Sequence, residues 1–475
     1  MKKYDVIIVG AGPAGIFAAL EIVSSGRKLK VLMVEKGVDI ADRVCPSVAE
    51  NIPCKACPYC GLLCGWGGAG AFSDGKLSLS KDVGGNLQRY VDESELNELI
   101  KYTDGLYVKY GAPEEIHGCD TEKVEALRKE AERHKLTLVP AKLRHIGTDR
   151  CPELLKKIKA DLNSKVDIIF STDVKNILVG GGTVKGIETR KGEVHHADFV
   201  VIAPGREGAL WFEKQAKLLG LSLLNNPVDI GVRVELPAEV LEPITKVSYE
   251  PKLVYHTKKF NDKIRTFCVN PYGEVVKEYV KGVWSANGHS FSGPDKRTAN
   301  TNFALLVSTY FTEPFDEPHL YGRYIARLAN LLGKGVVLQR LGDLKSGRRS
   351  NDARIRRGKV KPTLNGAVPG DLSFVLPHRY ITNILDMLKA MDKIAPGVNS
   401  PHTLLYGVEV EFYSRQLKLE NNLETEVTNL VAVGDGAGVS RGLIQASASG
   451  IIAAREILKR LGKSLIVLLK MMNLI

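Results

Sequence analysis

The stretch Tyr4-Asp5-Val6-Ile7-Ile8-Val9-Gly10-Ala11-Gly12-Pro13-Ala14-Gly15 decides the fold. Tyr4 to Val9 is a short β-branched run of the kind that forms a strand buried on both faces. Ile16 to Ser25 reads as an apolar helix that stops near Gly26. Strand, glycine turn and helix together give a G-x-G-x-x-G string its meaning. Gly10 permits the tight turn, Gly12 lets backbone approach a pyrophosphate, and Gly15 lets the helix pack close on the strand. The helix N-terminus that follows Pro13 and Ala14 then holds the anion with its free N–H groups and dipole. Lys30 to Val34 is a second buried strand, ending at Glu35 and Lys36. Glu35 lies twenty residues after Gly15, where a carboxylate accepts from a ribose 2′-OH. The same carboxylate repels a 2′-phosphate, so the pattern points to NAD or FAD and away from NADP.

The far end of the chain separates those two. Asn429 to Val433 reads as a late strand running into Gly434-Asp435-Gly436-Ala437-Gly438. Ser440 to Gly450, which includes Gly442 and Leu443, follows, and then a helix to about Leu461. An Asp at the mouth of a strand, followed by a small-residue helix start, suits a polyol and a flavin edge. Asp435 accepts from a ribityl hydroxyl, and the helix N-terminus points its dipole at the ring. In between, Val166 to Phe170, Val174 to Val179, Val184 to Thr189 and Ala197 to Ile202 read as strands, with a turn at Gly180-Gly181-Gly182. The two paired through that turn make a β-meander.

These residues carry a resemblance. Gly10, Gly12, Gly15 and Glu35, the segment Ala203-Pro204-Gly205 and the pair Gly434-Asp435 resemble the two-dinucleotide-binding-domain flavoproteins of the glutathione-reductase-like class. That class usually has Ala-Thr-Gly where this chain has Ala203-Pro204-Gly205. More narrowly, Gly65-Trp66-Gly67-Gly68-Ala69-Gly70-Ala71-Phe72-Ser73-Asp74-Gly75-Lys76-Leu77, with Gly434 to Gly442, is similar to FAD-dependent dehydrogenases or oxidoreductases of unknown substrate. The resemblance implies an α/β fold: a Rossmann-like FAD-binding domain, with a parallel sheet plus β-meander, and a second mixed α+β substrate domain. It implies FAD lying extended, with Val174 as a backbone contact to adenine. Gly68, Ala69, Ser73, Asp74 and Lys76 then lie along the flavin or its phosphates, with Ala203, Gly205, Gly442 and Leu443 beside them.

The expected FAD domain is discontinuous, comprising 1–80, 140–211 and 401–462. Residues 81–139 are expected as a helical insertion, with Glu93 to Tyr102 and Thr121 to Arg133 amphipathic. Leu136 to Pro140 reads as a strand, and Cys151 to Leu162 as a helix capped from Thr148-Asp149. Residues 212–400 are expected to hold substrate. Within them Val228 to Leu236 and Lys263 to Val269 read as strands, and Thr298 to Phe311 as mixed or helical. Residues 463–475 form an apolar tail suited to a docked helix or a homodimer contact.

With 475 residues and 44% hydrophobic content, the chain is long enough for two cored domains. Met1-Lys2-Lys3 enters the first strand directly, so no signal peptide is expected. No run reaches the roughly 18 apolar residues of a membrane span. The expected location is the cytoplasm, with cysteines reduced unless they work. Net charge is +12, read as a solvated basic surface or attraction for anionic small molecules. Lys345 to Lys361 carries eight Lys or Arg among seventeen residues, with Asp352 the only acid. That run is a clamp for an anionic substrate, an RNA surface or a solvated loop. It holds no aromatic on which a base could stack, which argues against nucleic acid.

Five of the eight cysteines fall between 45 and 64. Cys54-x2-Cys57-x2-Cys60-x3-Cys64 has the spacing of a ferredoxin run, with Gly65 in place of the usual proline. Three such thiolates wrap an iron–sulfur cube, and Cys45 or Cys64 could supply a fourth ligand. Four thiolates also suit structural zinc. Cys57 and Cys60 could instead relay electrons by thiol–disulfide exchange, or the loop could hold unrelated thiols.

In the second domain His289 is the candidate acid or base, since an imidazole titrates near neutrality. It sits in a polar break, Asn287 to Ser290, beside a second break at Cys268 to Gly273. The function expected is an FAD-dependent oxidoreductase moving hydride or electrons between a small molecule and flavin. Only one dinucleotide fingerprint is present, so NAD(P)H would be a transient donor, or an electron-transfer partner would deliver electrons. The alternative is a flavin-dependent RNA-modifying protein that uses the basic surface.

Overall fold

The computed structural model describes every residue except 1–2, 51–54, 56, 225, 281, 292, 313–314, 316 and 472–475. It divides into two compact units: residues 1–113, 150–224 and 414–475, and residues 114–149 and 225–413.

The first unit is built on one sheet. Lys3–Val9, Val31–Val34, Asp167–Ile169, Val194–Ile202 and Leu430–Ala432 run parallel, with Lys3–Val9 between Val31–Val34 and Val194–Ile202. Val6, Ile7 and Ile8 are wholly buried, which is why these strands are β-branched on both faces. Val174–Gly180, Thr183–Thr189 and Val194–Ile202 form the expected meander. Gly181 and Gly182 both take positive φ, as a two-residue hairpin turn of matching twist requires. Helix Pro13–Ser24 packs on the long C-terminal helix Leu443–Met471. A Cβ at Gly450 would stand 2.0 Å from the Ala14 carbonyl oxygen, so only glycine allows that approach. The C-terminal helix runs ten residues past the expected stop at Leu461 and takes in most of the apolar tail. Helix Cys151–Leu162 has the expected bounds, but Arg150 occupies its N-cap and makes no side-chain cap bond there.

The second unit holds an eight-stranded sheet in the order Val368–Pro369, Val337–Arg340, Leu404–Glu411, Val228–Pro237, Asn300–Thr309, Lys263–Asn270, Lys252–His256, Leu136–Val139. Helices Pro318–Gly333 and His378–Met391 pack on it. Glu274–Val280 and Val283–His289 form a separate hairpin. The segment 81–139 falls in both units, with helix Glu93–Lys109 in the first and helix Thr121–Arg133 and strand Leu136–Val139 in the second. Thr298 to Phe311 is not mixed or helical: Asn300–Thr309 is a central strand, paired on both sides. Asn287 to His289 likewise lie within a strand rather than in a break.

Val228–Pro237 shows how this sheet is filled. Its sequence alternates apolar and polar residues, which ordinarily sends one face to water. Here both faces are buried. Val228, Ile230, Val232, Val234 and Leu236 join the apolar core, while Asp229, Arg233 and Glu235 on the other face are at most 1% exposed. Each finds partners. Arg233 meets Glu409 in a two-bond ion pair, Nε donating to Oε2 at 2.8 Å and Nη2 to Oε1 at 2.5 Å. It also donates to the Cys268 carbonyl, Asn302 and Asn287. Arg265 and the Tyr413 hydroxyl donate to Asp229. Tyr406, Thr363 and Asn300 donate to Glu235.

Candidate functional site

Three chain turns of the first unit meet at the C-terminal ends of its parallel strands, where open α/β sheets bind ligands. The first is Gly10 to Gly15. Gly10 has φ +106°, and a Cβ there would lie 2.1 Å from the Ala203 carbonyl oxygen. A Cβ at Gly15 would lie 2.0 Å from the Gly10 carbonyl oxygen. Gly12 differs: its backbone is extended and a Cβ would meet nothing within 4 Å. Among the described residues the amides of Ala14 and Gly15 take up no acceptor, although Ile16 bonds back to Gly12. Open space beside unpartnered amides at a helix start fits a pyrophosphate.

The second turn is Ala203-Pro204-Gly205, and the third is Gly434-Asp435. A Cβ at Gly436 would strike Pro204 and Gly205, and one at Gly434 would meet the Ala14 Cβ at 3.0 Å. The Asp435 carboxylate accepts from Ser440 Oγ at 2.6 Å. The segment Gly65 to Lys76 closes onto this junction. Gly68 rests on Gly12, and Gly70 sits between Pro13 and Leu443. Gly442 abuts Gly84. Ala69 lies in the short helix Gly68–Phe72. Ser73 Oγ donates to the Gly70 carbonyl, and the Lys76 ammonium pairs with Asp74 at 2.8 Å.

Glu35 is buried at the end of Val31–Val34. Its Oε2 accepts from the Ala11 amide at 2.8 Å, and its Oε1 from the amides of Gly37 and Gly65 at 2.8 and 3.0 Å. A carboxylate offers about four lone-pair sites, so one direction on Oε2 is left for a ribose hydroxyl. The carboxylate also ties the Gly10 turn to the Gly65 segment. Lys36 follows and bonds toward the Cys64 thiol. Val174 begins the meander and is buried. Gly10, Gly12, Pro13, Ala14, Gly15, Gly68, Leu443, Gly434 and Gly205 are thus brought into one junction, with Glu35 at its edge. His289 ends the strand Val283–His289 and belongs to the second unit.

One residue had no sequence signal. Arg43 is 5% exposed and holds the glycine segment in place. It donates to the carbonyls of Gly61, Trp66 and Gly68 at 2.7 to 2.9 Å and lies over the Phe72 ring. Among the described residues its buried Nη2 meets no acceptor. Burial lowers its pKa to about 10, against the opposing pull of Glu35. Trp66, wholly buried, bonds through Nε1 to the Leu155 carbonyl.

Of the cysteine run, Cys54 lies outside the described residues. Cys57 is exposed, Cys60 half-buried and Cys64 buried. Burial pushes the Cys64 thiol up to about 11 and raises Cys60 as well, so both stand as neutral thiols. Among the described residues no group of three or more His, Cys, Asp or Glu is placed to hold a metal ion. Nor, among them, is any helix long and apolar enough to cross a membrane.

Residues 227–411, which lie in the second unit, match the family model described as "FAD-dependent protein, C-terminal domain-like". A protein of Clostridium beijerinckii described as uncharacterized is 27% identical over 485 residues, covering 96% of this chain and 81% of that one. A thioredoxin reductase of Listeria monocytogenes is 50% identical over 52 residues, covering 11% of this chain and 16% of that one. The L-proline dehydrogenase of P. horikoshii aligns with a TM-score of 0.43 at 12% identity, over 96% of this chain and 94% of that one. Residues 227–411 are thus similar to the C-terminal domain of FAD-dependent proteins, which supports FAD as the cofactor of this chain.

Proposed function

We propose that this chain is an FAD-dependent oxidoreductase that moves hydride or electrons between a small-molecule substrate and its bound flavin. The observation that carries the reading is the junction of three strand ends at Gly10–Gly15, Ala203–Gly205 and Gly434–Asp435. There, unpartnered amides, open space at Gly12 and a carboxylate with a spare acceptor direction come together. In this reading Ala14 and Gly15 hold the pyrophosphate, Glu35 the adenosine ribose, Asp435 the ribityl chain and the Val174 backbone the adenine. Gly68, Ala69, Ser73, Asp74 and Leu443 line the flavin end. His289 holds or moves the substrate proton. Bound flavin supplies the redox chemistry, and the protein supplies orientation and electrostatics.

The test is the absorbance spectrum of anaerobically purified protein, followed by titration with NADH and with NADPH. The expected result is a flavin spectrum that bleaches on reduction. Protein that neither carries FAD nor takes it up would end the reading. An additional broad, bleachable band would turn the cysteine loop into an iron–sulfur inlet and point to a protein electron donor.

A further inference from the structure

Helix Pro318–Gly333 packs one face on the eight-stranded sheet, burying Gly322, Ile325, Ala326, Ala329 and Gly333. Its outer face is apolar as well. Tyr324, Leu328, Leu331 and Leu332 recur at intervals of three and four, so they share one side of the helix, and they are 43–78% exposed. A helix apolar on both sides is ordinarily covered on both. Arg323 and Arg327 flank this stripe one turn apart, with Arg327 over the Tyr324 ring, and the exposed Lys334 follows the last turn. The helix contains no Asp or Glu, and Glu317 precedes its first residue. The hairpin of Glu274–Val280 and Val283–His289 is tied to the helix. The Trp284 amide donates to Asn330 Oδ1 at 2.8 Å, and Asn330 Nδ2 donates to the Trp284 carbonyl at 2.9 Å. Trp284 and Tyr279 pair their rings, and the exposed Lys277 ammonium lies over Trp284.

We propose that this outer face docks the protein on an anionic lipid surface. The leucines and Tyr324 enter the boundary between headgroups and acyl chains. Trp284 and Tyr279 beside them carry the amphipathic rings that settle at membrane interfaces. Arg323, Arg327, Lys334 and Lys277 meet lipid phosphates, and the apolar stripe and the charge act together. Two copies of this chain joined across the stripe would set Arg327 and Lys334 against like charges, with no acid on the helix to pair them. An anionic bilayer supplies that counter-charge. The surface lies wholly in the second unit and does not depend on the redox reading.

The experiment sediments the full-length protein, with FAD in excess, together with vesicles. One set is phosphatidylcholine alone and the other phosphatidylcholine with phosphatidylglycerol. Binding to the anionic set is expected, several-fold tighter than to the neutral set and weakened by salt. Arg327→Gln with Lys334→Gln should weaken it about 25-fold, roughly fivefold for each charge. Leu328→Ser with Leu331→Ser should weaken it about tenfold or more. Both pairs are surface changes, so their circular dichroism should match the parent. Lys214→Gln with Lys217→Gln, which removes two exposed cations of the first unit, should leave binding unchanged. Equilibrium sedimentation without vesicles reads self-association. No binding to anionic vesicles, equal binding to neutral ones, binding that both helix pairs leave unchanged, or an equal loss in the Lys214 and Lys217 pair would overturn the proposal. A dimer that Leu331→Ser dissolves, in a protein that binds no vesicles, would overturn it too and assign the face to a second copy.

Discussion

Glu35 and Arg233 are both buried charges, and the protein treats them in opposite ways. Glu35 accepts from three backbone amides. Arg233 faces a carboxylate and three further oxygens, so its charge is cancelled and every direction is filled. A Cβ at Gly288 would lie 2.0 Å from Asn302 Oδ1 and 2.9 Å from Arg233 Nη1, so backbone seals that cluster. A charge held by amides can still receive a ligand. A charge closed by its counter-ion specifies packing. The first unit is built of the former kind at its strand ends, and the sheet of the second unit of the latter.

The largest effect that would break this contrast lies at Arg233. Arg233→Met leaves Glu409 buried and alone, and should cost about 3–5 kcal/mol in urea unfolding. Adding Glu409→Met should return most of that loss. A double variant as unstable as the sum of its parts would mean that Arg233 and Glu409 do not act as a pair.

Glu35→Ala comes next. It strands the amides of Ala11, Gly37 and Gly65, and should destabilise the protein by about 1–3 kcal/mol. Flavin retained through gel filtration, measured as absorbance per protein, should fall sharply. Retention at the parent level would remove Glu35 from the cofactor site.

Asp229 tests the closed side by pH. Burial alone would raise its carboxyl, but Arg265 and the hydroxyls of Ser308 and Tyr413 outweigh burial and leave it lowered. Its folded pKa thus lies below its unfolded value. The stability it contributes is present above about pH 4 and is lost as pH falls through the folded pKa. Melting temperature below about pH 4 should therefore fall more steeply in the parent than in Asp229→Asn. That variant should be less stable at neutral pH, because Arg265 loses its counter-ion. Parallel acid limbs would refute the role.

The smallest stability effect is expected at Gly12. Because a Cβ there meets nothing, Gly12→Val should shift apoprotein stability by no more than about 0.5 kcal/mol. The same change should abolish FAD retention by filling the space over the turn. Gly10→Val, at φ +106° and 2.1 Å from the Ala203 oxygen, should damage both. Two equal outcomes would erase the distinction between a ligand glycine and a packing glycine.

Much of the first unit was legible because its strands are buried on both faces and must be β-branched throughout. Helices Thr121–Arg133 and Cys151–Leu162 announced themselves by amphipathic spacing. Asn300–Thr309 did not, because its polar start Asn300-Thr301-Asn302 reads as surface or break. Those residues are buried by partners far away in the chain, with Asn300 donating to Glu235 and Asn302 accepting from Arg233. Arg43 was silent for the same reason, since three carbonyls give it meaning and backbone carbonyls leave no mark in a sequence.

The sequence alone determined where backbone must come close. Gly10, Gly12 and Gly15 spell a turn at a strand end, and Glu35 an acceptor at its neighbour, because local geometry and period are written in consecutive residues. Tertiary structure alone decided which charges are closed and which are left open. Arg233 and Glu409 lie 176 positions apart. Pairing across such distances follows from sheet order and register, which no local pattern encodes.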